Sequence, residues 1–200
     1  LRSRIQQGLV HRLGHLLRRF VLDRRRTCFY GWDPRQGSGA ADPQVRVYGR
    51  WQDIPRHVRA VAVPSPWTDA MFYRMKRRQA RLLCLSEDGR RLLAYGWVQD
   101  WRPFRRRFGA LAREGTMLGF YWTAPEARGR GLYGRLLAHS LTLCDLGRPV
   151  LIAASPQNQA SRRGIEKAGF RPLGEWETLT VFRWFSRMRR VSGPGGEGSA

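Results

Sequence analysis

The sequence predicts a mixed α/β domain with a mostly antiparallel central sheet flanked by helices, and a basic helical extension before it. Three observations predict this fold class. From residue 45 onward, short strand-like apolar runs alternate with helix-like segments. Two of these runs, residues 81–86 and 91–98, are joined by Glu-Asp-Gly, which is typical of a hairpin turn. Residues 1–26 repeat apolar side chains every three or four positions, with arginines between them.

The amphipathic pattern of residues 1–26 has two explanations. The helix docks on the domain through its leucine face, or it lies on an anionic membrane surface through its arginines. Residues 31–44 are rich in Gly, Pro and Asp and are predicted to be a loop. We therefore expect a helix and loop over 1–44, the main domain over 45–190 and a disordered Gly-rich tail over 191–200.

The elements of the main domain are expected in a definite order. The predicted elements are a strand at 45–51, a helix starting near 53–55, a helix at 67–79, the two hairpin strands, a basic aromatic loop at 100–113, a strand at 117–123, a helix at 132–146, a buried strand at 150–154, a helix at 159–168 and closing strands at 170–173 and 178–185.

Charge and composition narrow the class of protein. The chain has 37 Lys and Arg against 15 Asp and Glu, a net charge of +22, and only two of the basic residues are lysines. Either a GC-rich genome or an anionic partner explains this arginine excess. At 42% apolar residues the chain is globular rather than disordered.

The cysteines and apolar runs predict a cytoplasmic protein, with contact of residues 1–26 to a membrane surface as the alternative. The three cysteines are far apart and form no C-x-x-C pair, so we expect reduced thiols and no metal site. No apolar run is long enough to span a membrane, and arginines interrupt the apolar residues at the start.

The stretch Pro-Glu-Ala-Arg-Gly-Arg-Gly-Leu-Tyr-Gly-Arg-Leu-Leu, residues 125–137, joins a predicted strand to a predicted helix. A glycine-rich turn at a helix start leaves backbone N–H groups without helical partners, and these groups bind phosphates. Glycine lets the phosphate approach the backbone closely. The stretch is therefore predicted to be a phosphate-binding turn.

Two common nucleotide-binding patterns do not fit this turn. It lacks the spacing and lysine of G-x-x-x-x-G-K-[ST]. A dinucleotide-binding turn would follow the first strand of a βαβ unit, with an acidic residue about 20 positions later. Here the turn follows the fourth predicted strand, and Asp145 falls inside the next predicted helix.

The turn resembles the acyl-coenzyme A signature of the GNAT superfamily of N-acetyltransferases, Arg/Gln-x-x-Gly-x-Gly/Ala. Arg128 and Gly131 fit that pattern, whereas Tyr133 stands where a small residue is usual. Asn158-Gln-Ala-Ser161 and Glu166-Lys-Ala-Gly-Phe170 resemble a second motif of the family, in the expected order. The resemblance extends over residues 45–185 and implies the acyl-CoA N-acyltransferase fold.

The resemblance implies transfer of an acetyl group from acetyl-CoA, as co-substrate, to a primary amine that attacks the thioester directly. The backbone of the turn would hold the pyrophosphate, the preceding strand would align with the pantetheine arm, and a bulge there would separate two strands. The residues implied in coenzyme binding are Tyr121, Trp122, Thr123, Arg128, Gly129, Arg130, Gly131, Leu132, Tyr133, Gly134, Asn158 and Ser161.

The catalytic acid and base are not assigned by the resemblance alone. Ile165 stands where the family often has the tyrosine that protonates the thiolate, so Tyr133 and Ser161 are the acid candidates. The alternative for Tyr133 is packing of its helix, and the alternative for Ser161 is a surface or helix-capping hydroxyl. The base candidates are acidic residues near strand ends, each also explained as a solvated surface acid: Glu114, Glu126 and Asp100.

The acceptor is left open as a small-molecule or peptide amine. The positive charge favours an anionic acceptor over a polycation. Aromatic and arginine side chains of residues 101–108 suit an acceptor pocket, an anion or single-stranded nucleic acid, but no nucleic-acid-binding motif is present, so nucleic acid is disfavoured. The alternative function is a non-catalytic coenzyme-binding or membrane-peripheral module with the same fold. A homodimer also stays open.

Overall fold

A computed structural model describes residues 22–33, 39–63, 68–181 and 185–192. The strands are β1 Leu22–Trp32, β2 Val45–Tyr48, β3 Ala80–Glu87, β4 Arg91–Asp100, β5 Thr116–Thr123, β6 Val150–Ala154, β7 Phe170–Val181 and β8 Phe185–Ser192. The helices are α1 Arg56–Ala62, α2 Thr68–Lys76, α3 Arg105–Phe108, α4 Leu132–Leu141 and α5 Gln159–Lys167. Short 3-10 turns lie at Trp51–Asp53, Arg102–Phe104 and Pro125–Ala127.

All eight strands belong to one sheet, in the order β2-β3-β4-β5-β6-β1-β7-β8. Every neighbouring pair is antiparallel except β5 and β6, which are parallel. Helices cover both faces of the sheet. The predicted fold class, a mostly antiparallel sheet flanked by helices, is therefore confirmed.

Strand β1 corrects the prediction for the N-terminal region. Residues 22–26 were predicted to be helical and residues 31–32 to be loop, but both are parts of β1. Alternating buried and exposed positions are not required at the middle of β1, because Cys28 and Tyr30 pack into one core cluster and Phe29 into another. Its residues Cys28, Phe29 and Tyr30 are buried. Residues 22–32 of the predicted extension are thus an inner strand, and residues 1–21 of the helix predicted over 1–26 lie outside the described residues.

Two layers of helices bury the two faces. Leu136 and Leu137 of α4 and Ile165 of α5 pack with Leu118 and Ile152 on one face. On the other face, α1 and α2 pack over β3 and β4. The buried residues of this second layer are Ile54, Val58, Ala62, Val63, Met71, Met75, Ala80, Leu82, Cys84, Tyr95 and Trp97.

The C-terminal strands also differ from the prediction of two short closing strands over 170–173 and 178–185. β7 runs without interruption through Pro172 and Gly174, because an irregularity in its pairing with β1 leaves Leu173 as an extra residue. A bulge of this kind lets a strand pass through proline and glycine. β8 then extends to Ser192, so residues 191–192 of the predicted disordered tail are strand, and residues 193–200 lie outside the described residues.

Two smaller corrections concern helices. The predicted loop over 100–113 contains the 3-10 turn Arg102–Phe104 and the short helix α3. The helix predicted over 132–146 ends at Leu141. It ends there because the N–H groups of Thr142 and Leu143 bond to carbonyls three residues back, which closes the last turn in 3-10 geometry.

Candidate functional site

The central parallel strands separate partway along their length. β5 and β6 pair only at Thr116–Val150, Met117–Leu151 and Leu118–Ile152. Beyond Leu118 none of the described strands pairs with the edge of β5 that faces β6, although β5 continues to Thr123. This gap exposes backbone N–H and C=O groups at which an extended ligand can align as a strand does.

A bulge in β5 lies where the gap begins. Tyr95 of β4 is opposite Trp122, whereas Trp97 is opposite Gly119, so β5 has one residue more than β4 over this stretch. Phe120, at the bulge, has a φ of +53° and is 44% exposed. Positive φ is strained for an aromatic residue and is often found at functional sites. The bulge bends β5 away from β6.

The glycine turn follows β5 directly and begins α4. Gly129 and Gly131 have φ values of +76° and +72°, in the left-handed region that only glycine adopts without strain. The first hydrogen bond of α4 runs from the Arg135 N–H to the Gly131 carbonyl. The N–H groups of Leu132, Tyr133 and Gly134 therefore have no partner within the helix, and they lie at the positive end of its dipole.

The space in front of these glycines is open. A Cβ built on Gly129, Gly131 or Gly134 would meet no atom within 4 Å. Because these three residues are glycines, the space next to the N–H groups is left empty. That space fits a bound phosphate group. Arg130 also lines a cleft of about 420 Å³ beside the turn, together with Arg46 and Arg135.

Side chains of β5 near the turn do not all face the gap. Tyr121 points into the core, where its hydroxyl lies 2.7 Å from Ser140 Oγ. Burial raises the pKa of Tyr121 well above its usual range. Trp122 stacks on Tyr95, with 5.6 Å between ring centroids, against the α1 and α2 layer. Tyr121, Trp122 and Thr123 can therefore contact a ligand in the gap through their backbone.

Tyr133 connects the two sides of the gap. Its ring lies edge-on to the ring of Tyr121 in β5, with 5.3 Å between centroids. Its hydroxyl lies 3.2 Å from Ser161 Oγ in α5, the helix that follows β6. Burial raises the pKa of Tyr133, and the hydrogen bond to Ser161 opposes that rise. Tyr133 is therefore a protonated hydroxyl at neutral pH.

Asn158 begins α5 as its N-cap. Its Oδ1 accepts a hydrogen bond of 3.0 Å from the Ser161 N–H, which satisfies one of the free donors of the first turn. The structure thus brings Asn158, Ser161 and Tyr133 together, three of the residues predicted to bind the coenzyme. Asn158 is an exposed residue.

The three acidic base candidates are each paired with an arginine. Glu114 lies 3.2 Å from Arg148 before the start of β5, at the end far from the turn. Glu126 pairs with Arg91 at 2.6 Å, and its pKa is lowered, first by a hydrogen bond from its own backbone and then by Arg91. Asp100 pairs with Arg102, and its pKa is also lowered.

The lowered pKa values of Glu126 and Asp100 weaken these two as general bases, because a carboxylate with a lowered pKa takes up a proton less readily. Glu114 and Glu126 are also more than half exposed, at 63% and 51%. Neither of these two carboxylates lies beside the hydroxyl of Tyr133.

Comparison with known proteins decides the family. A profile described as Acetyltransferase (GNAT) family matches residues 49–170, more than half of the chain. The chain belongs to the GNAT acetyltransferase family. The resemblance found in the turn and in the Asn158 segment is thereby confirmed. No curated protein matches the sequence significantly.

Solved structures of GNAT proteins share the fold. A putative acetyltransferase from Novosphingobium aromaticivorans matches with a TM-score of 0.56 at 21% identity, over 86% of this chain and 67% of its own. GNAT proteins from Colwellia psychrerythraea and Sphaerobacter thermophilus match with TM-scores of 0.51 and 0.52 at 19% and 13% identity. The matches cover 79% and 84% of this chain. They cover 55% of each of those two proteins, so this chain spans about half their length.

One residue of this GNAT site was not assigned a role from the sequence. Phe120 marks the bulge and is exposed. Its signal in the sequence is weak, since Gly119 before it is the only hint of an irregular strand.

Among the described residues, no cluster of three or more His, Cys, Asp or Glu side chains could hold a metal ion. None of the described helices combines the length and the apolar character needed to cross a membrane.

Proposed function

We propose that this chain transfers an acetyl, or another acyl, group from a coenzyme A thioester to a primary amine. The observation that carries the proposal is the turn at Gly129–Gly131, with its left-handed glycines and open front, placed at the end of the unpaired edge of β5. The membership of this chain in the GNAT family supports a coenzyme A thioester as the acyl donor.

Coenzyme binding would use backbone groups for the most part. The N–H groups from Gly129 to Gly134 would hold the pyrophosphate, because the helix dipole and unpaired donors favour an anion there. The edge of β5 from residue 119 to residue 123 would align with the amides of the pantetheine arm. The amide of Asn158, an exposed residue, would donate to that arm from the other side of the gap.

The bound thioester supplies an activated acyl carbon. The residues of the chain would position the amine against it and stabilise charge, which is where such reactions gain most. Backbone N–H groups at the bulge would polarise the acyl oxygen. The Tyr133 hydroxyl, held by Ser161, would give a proton to the departing sulfur.

Two measurements test this proposal in sequence. Calorimetry with acetyl-CoA should show binding that Gly131→Glu abolishes, because the new carboxylate would stand where the pyrophosphate binds. Arg81→Gln, an exposed change on β3, is the matched control and should bind normally. Absence of binding to the unmodified chain would overturn the coenzyme assignment.

Turnover decides between an enzyme and a binding module. Release of free thiol from acetyl-CoA should be accelerated by some member of a panel of amines that includes amino acids, amino sugars, peptide N-termini and polyamines. The net charge of +22 makes polyamines the poorest expected acceptors. Binding without turnover by every amine would favour a non-catalytic coenzyme-binding protein.

A further inference from the structure

A second basic cleft lies away from the glycine turn. It has a volume of about 460 Å³ and lies between α2 and the 3-10 turn Arg102–Phe104. Three arginines line it, Arg74 and Arg77 of α2 and Arg102 of the turn, together with Tyr73 and Gln79. We call this set of residues the arginine cleft.

Arg74 is the innermost cation of the arginine cleft. Its Nη1 donates to Oε1 of Gln99 in β4, and its Cζ lies 4.8 Å from the centroid of the Phe104 ring. Among the described residues, no carboxylate lies within ion-pair distance of it. Burial lowers the pKa of this guanidinium, and no acidic neighbour opposes that effect. A half-buried cation without a counter-ion lowers the stability of a protein, because its charge is partly removed from water without compensation.

Gln99 accepts a hydrogen bond from Arg74 through Oε1, and its Nε2 is a hydrogen-bond donor that needs an acceptor. Its side chain is buried, with 1% of the residue exposed, and its Nε2 has no hydrogen-bond partner in the part of the chain that the structure describes. Buried amide groups are normally paired, so an unpaired one next to an uncompensated arginine indicates a missing acceptor.

The other arginines leave the cleft positive. Arg102 is paired with Asp100, at 3.0 Å between Nη2 and Oδ2. Arg77 is exposed, and none of the described carboxylates pairs with it. The cleft thus holds three guanidinium groups and one neighbouring carboxylate. Guanidinium groups bind carboxylate and phosphate oxygens in pairs, with charge-assisted hydrogen bonds.

The arginine cleft is separate from the glycine turn in two respects. It lies on the face covered by α2, whereas the turn begins α4 on the opposite face. Gln99 is opposite Met117 near the start of β5, and the turn follows the end of β5 at Thr123. One small ligand cannot fill both.

We propose that the arginine cleft binds the carboxylate or phosphate group of a small molecule, with Arg74 and Arg77 as its main ligands. The anion would neutralise the charge of Arg74, whose guanidinium is held in place by its hydrogen bond to Gln99 Oε1. Anion binding at this site does not depend on acyl transfer, so it can be tested independently of the proposed reaction.

Calorimetric titration with inorganic phosphate and with succinate, at constant ionic strength in chloride, tests the site. Arg77→Gln should weaken binding of at least one probe about tenfold, the typical loss of a charge-assisted contact. Arg81→Gln removes the same charge on β3 outside the cleft and should leave the affinity unchanged within about twofold. Equal affinities for the two variants, or no binding of either probe, would overturn the proposal.

Two more variants make the assignment independent of the glycine turn and of folding. Gly131→Glu should retain the Arg77-dependent binding, because the turn is on the other face. Ala70→Glu places a carboxylate in the cleft one helical turn before Arg74. It should raise the unfolding midpoint without anions and abolish the response to phosphate and succinate. A Gly131→Glu protein that loses this binding, or an Ala70→Glu protein that keeps it, contradicts the proposed location.

Discussion

The ring of Tyr121 lies directly over Gly96 of the neighbouring strand β4. A Cβ built on Gly96 would stand 2.2 Å from Tyr121 Cε1, which is closer than any real contact. The ring is held in place by the hydrogen bond of its hydroxyl to Ser140 and by its edge-on contact with Tyr133. The glycine in β4 thus allows a buried tyrosine to support the helix that carries the glycine turn.

Gly96→Ala is therefore expected to destabilise the fold. The added methyl group must push the Tyr121 ring out of a filled core, which costs about 1–3 kcal/mol. Urea denaturation measures the loss. Gly49→Ala, where a Cβ meets nothing within 4 Å, is the control and should change stability by less than about 0.5 kcal/mol. A Gly96→Ala protein as stable as this control would show that the ring moves freely.

Gly131→Ala tests the left-handed backbone of the turn. At a φ of +72° a Cβ costs roughly 1–2 kcal/mol of strain, even though it meets no neighbouring atom. Gly134→Ala has equal space but lies within α4, where alanine is favoured over glycine by about 1 kcal/mol. We expect the first change to lower the free energy of unfolding and the second to keep or raise it. The same sign for both would argue against strain at Gly131.

Phe29→Ala tests whether β1 belongs to the core. The residue is 1% exposed and packs with Trp101, Met117 and Leu151. Truncation of a buried phenylalanine costs about 3–5 kcal/mol. Val61→Ala, at a 41% exposed position of α1, should cost less than about 1 kcal/mol. If Phe29→Ala were as mild as Val61→Ala in denaturant titrations, β1 would not be a structural strand.

The carboxylate of Asp42 makes a pH-dependent contribution to the free energy of unfolding. Its carboxylate accepts a 2.7 Å hydrogen bond from Arg135 Nε, and this bond is the main cause of its lowered pKa. The stabilisation is therefore complete above the unfolded pKa of about 3.9, and it is lost as the pH falls through the lower folded pKa.

Asp42→Asn should remove this contribution. The difference in unfolding free energy between the unmodified protein and the variant should be largest near neutral pH and should shrink as the pH falls below about 4. Denaturation at a series of pH values measures it. A difference that stays constant to pH 2 would mean that the pair with Arg135 does not shift the pKa of Asp42.

Tyr133→Phe tests the proposed proton donor. Removing the hydroxyl should lower kcat about a hundredfold, within the usual range for general acids. The KM for acetyl-CoA should stay within about twofold. Tyr30→Phe removes another buried tyrosine hydroxyl that is bonded to α5, at 2.9 Å from Arg162 Nε, and should leave kcat unchanged. Equal kcat values for the unmodified enzyme and Tyr133→Phe would exclude Tyr133 as the acid.

Local patterns account for the parts of the structure that the sequence predicted well. The β3–β4 hairpin follows from the turn residues between its strands, and the start of α4 follows from its glycines. In contrast, β1 was misassigned because consecutive arginines at 24–26 continue the helical pattern of the preceding residues. Only its pairing with β6 and β7, which are distant in sequence, makes residues 22–32 a strand.

The same distinction applies to the sites. The turn could be predicted because its chemistry lies in consecutive residues. Tyr121 was assigned to coenzyme binding, and nothing in the sequence shows that Gly96 leaves room for its ring to turn inward. The contact of Arg74 with Gln99 joins residues 25 positions apart on different elements, so no local pattern could indicate it.

The position of β1 imposes an order on folding. Tyr30 in β1 and Arg162 in α5 are hydrogen-bonded although they are 132 positions apart. During synthesis β1 leaves the ribosome before β2–β8, yet it can pair only after β6 and β7 have been made. Before β1 pairs with them, the facing edges of β6 and β7 have no partner, and such edges promote association between chains. The sheet is therefore continuous only once this first strand has paired with two strands far along the chain, so slow folding is expected.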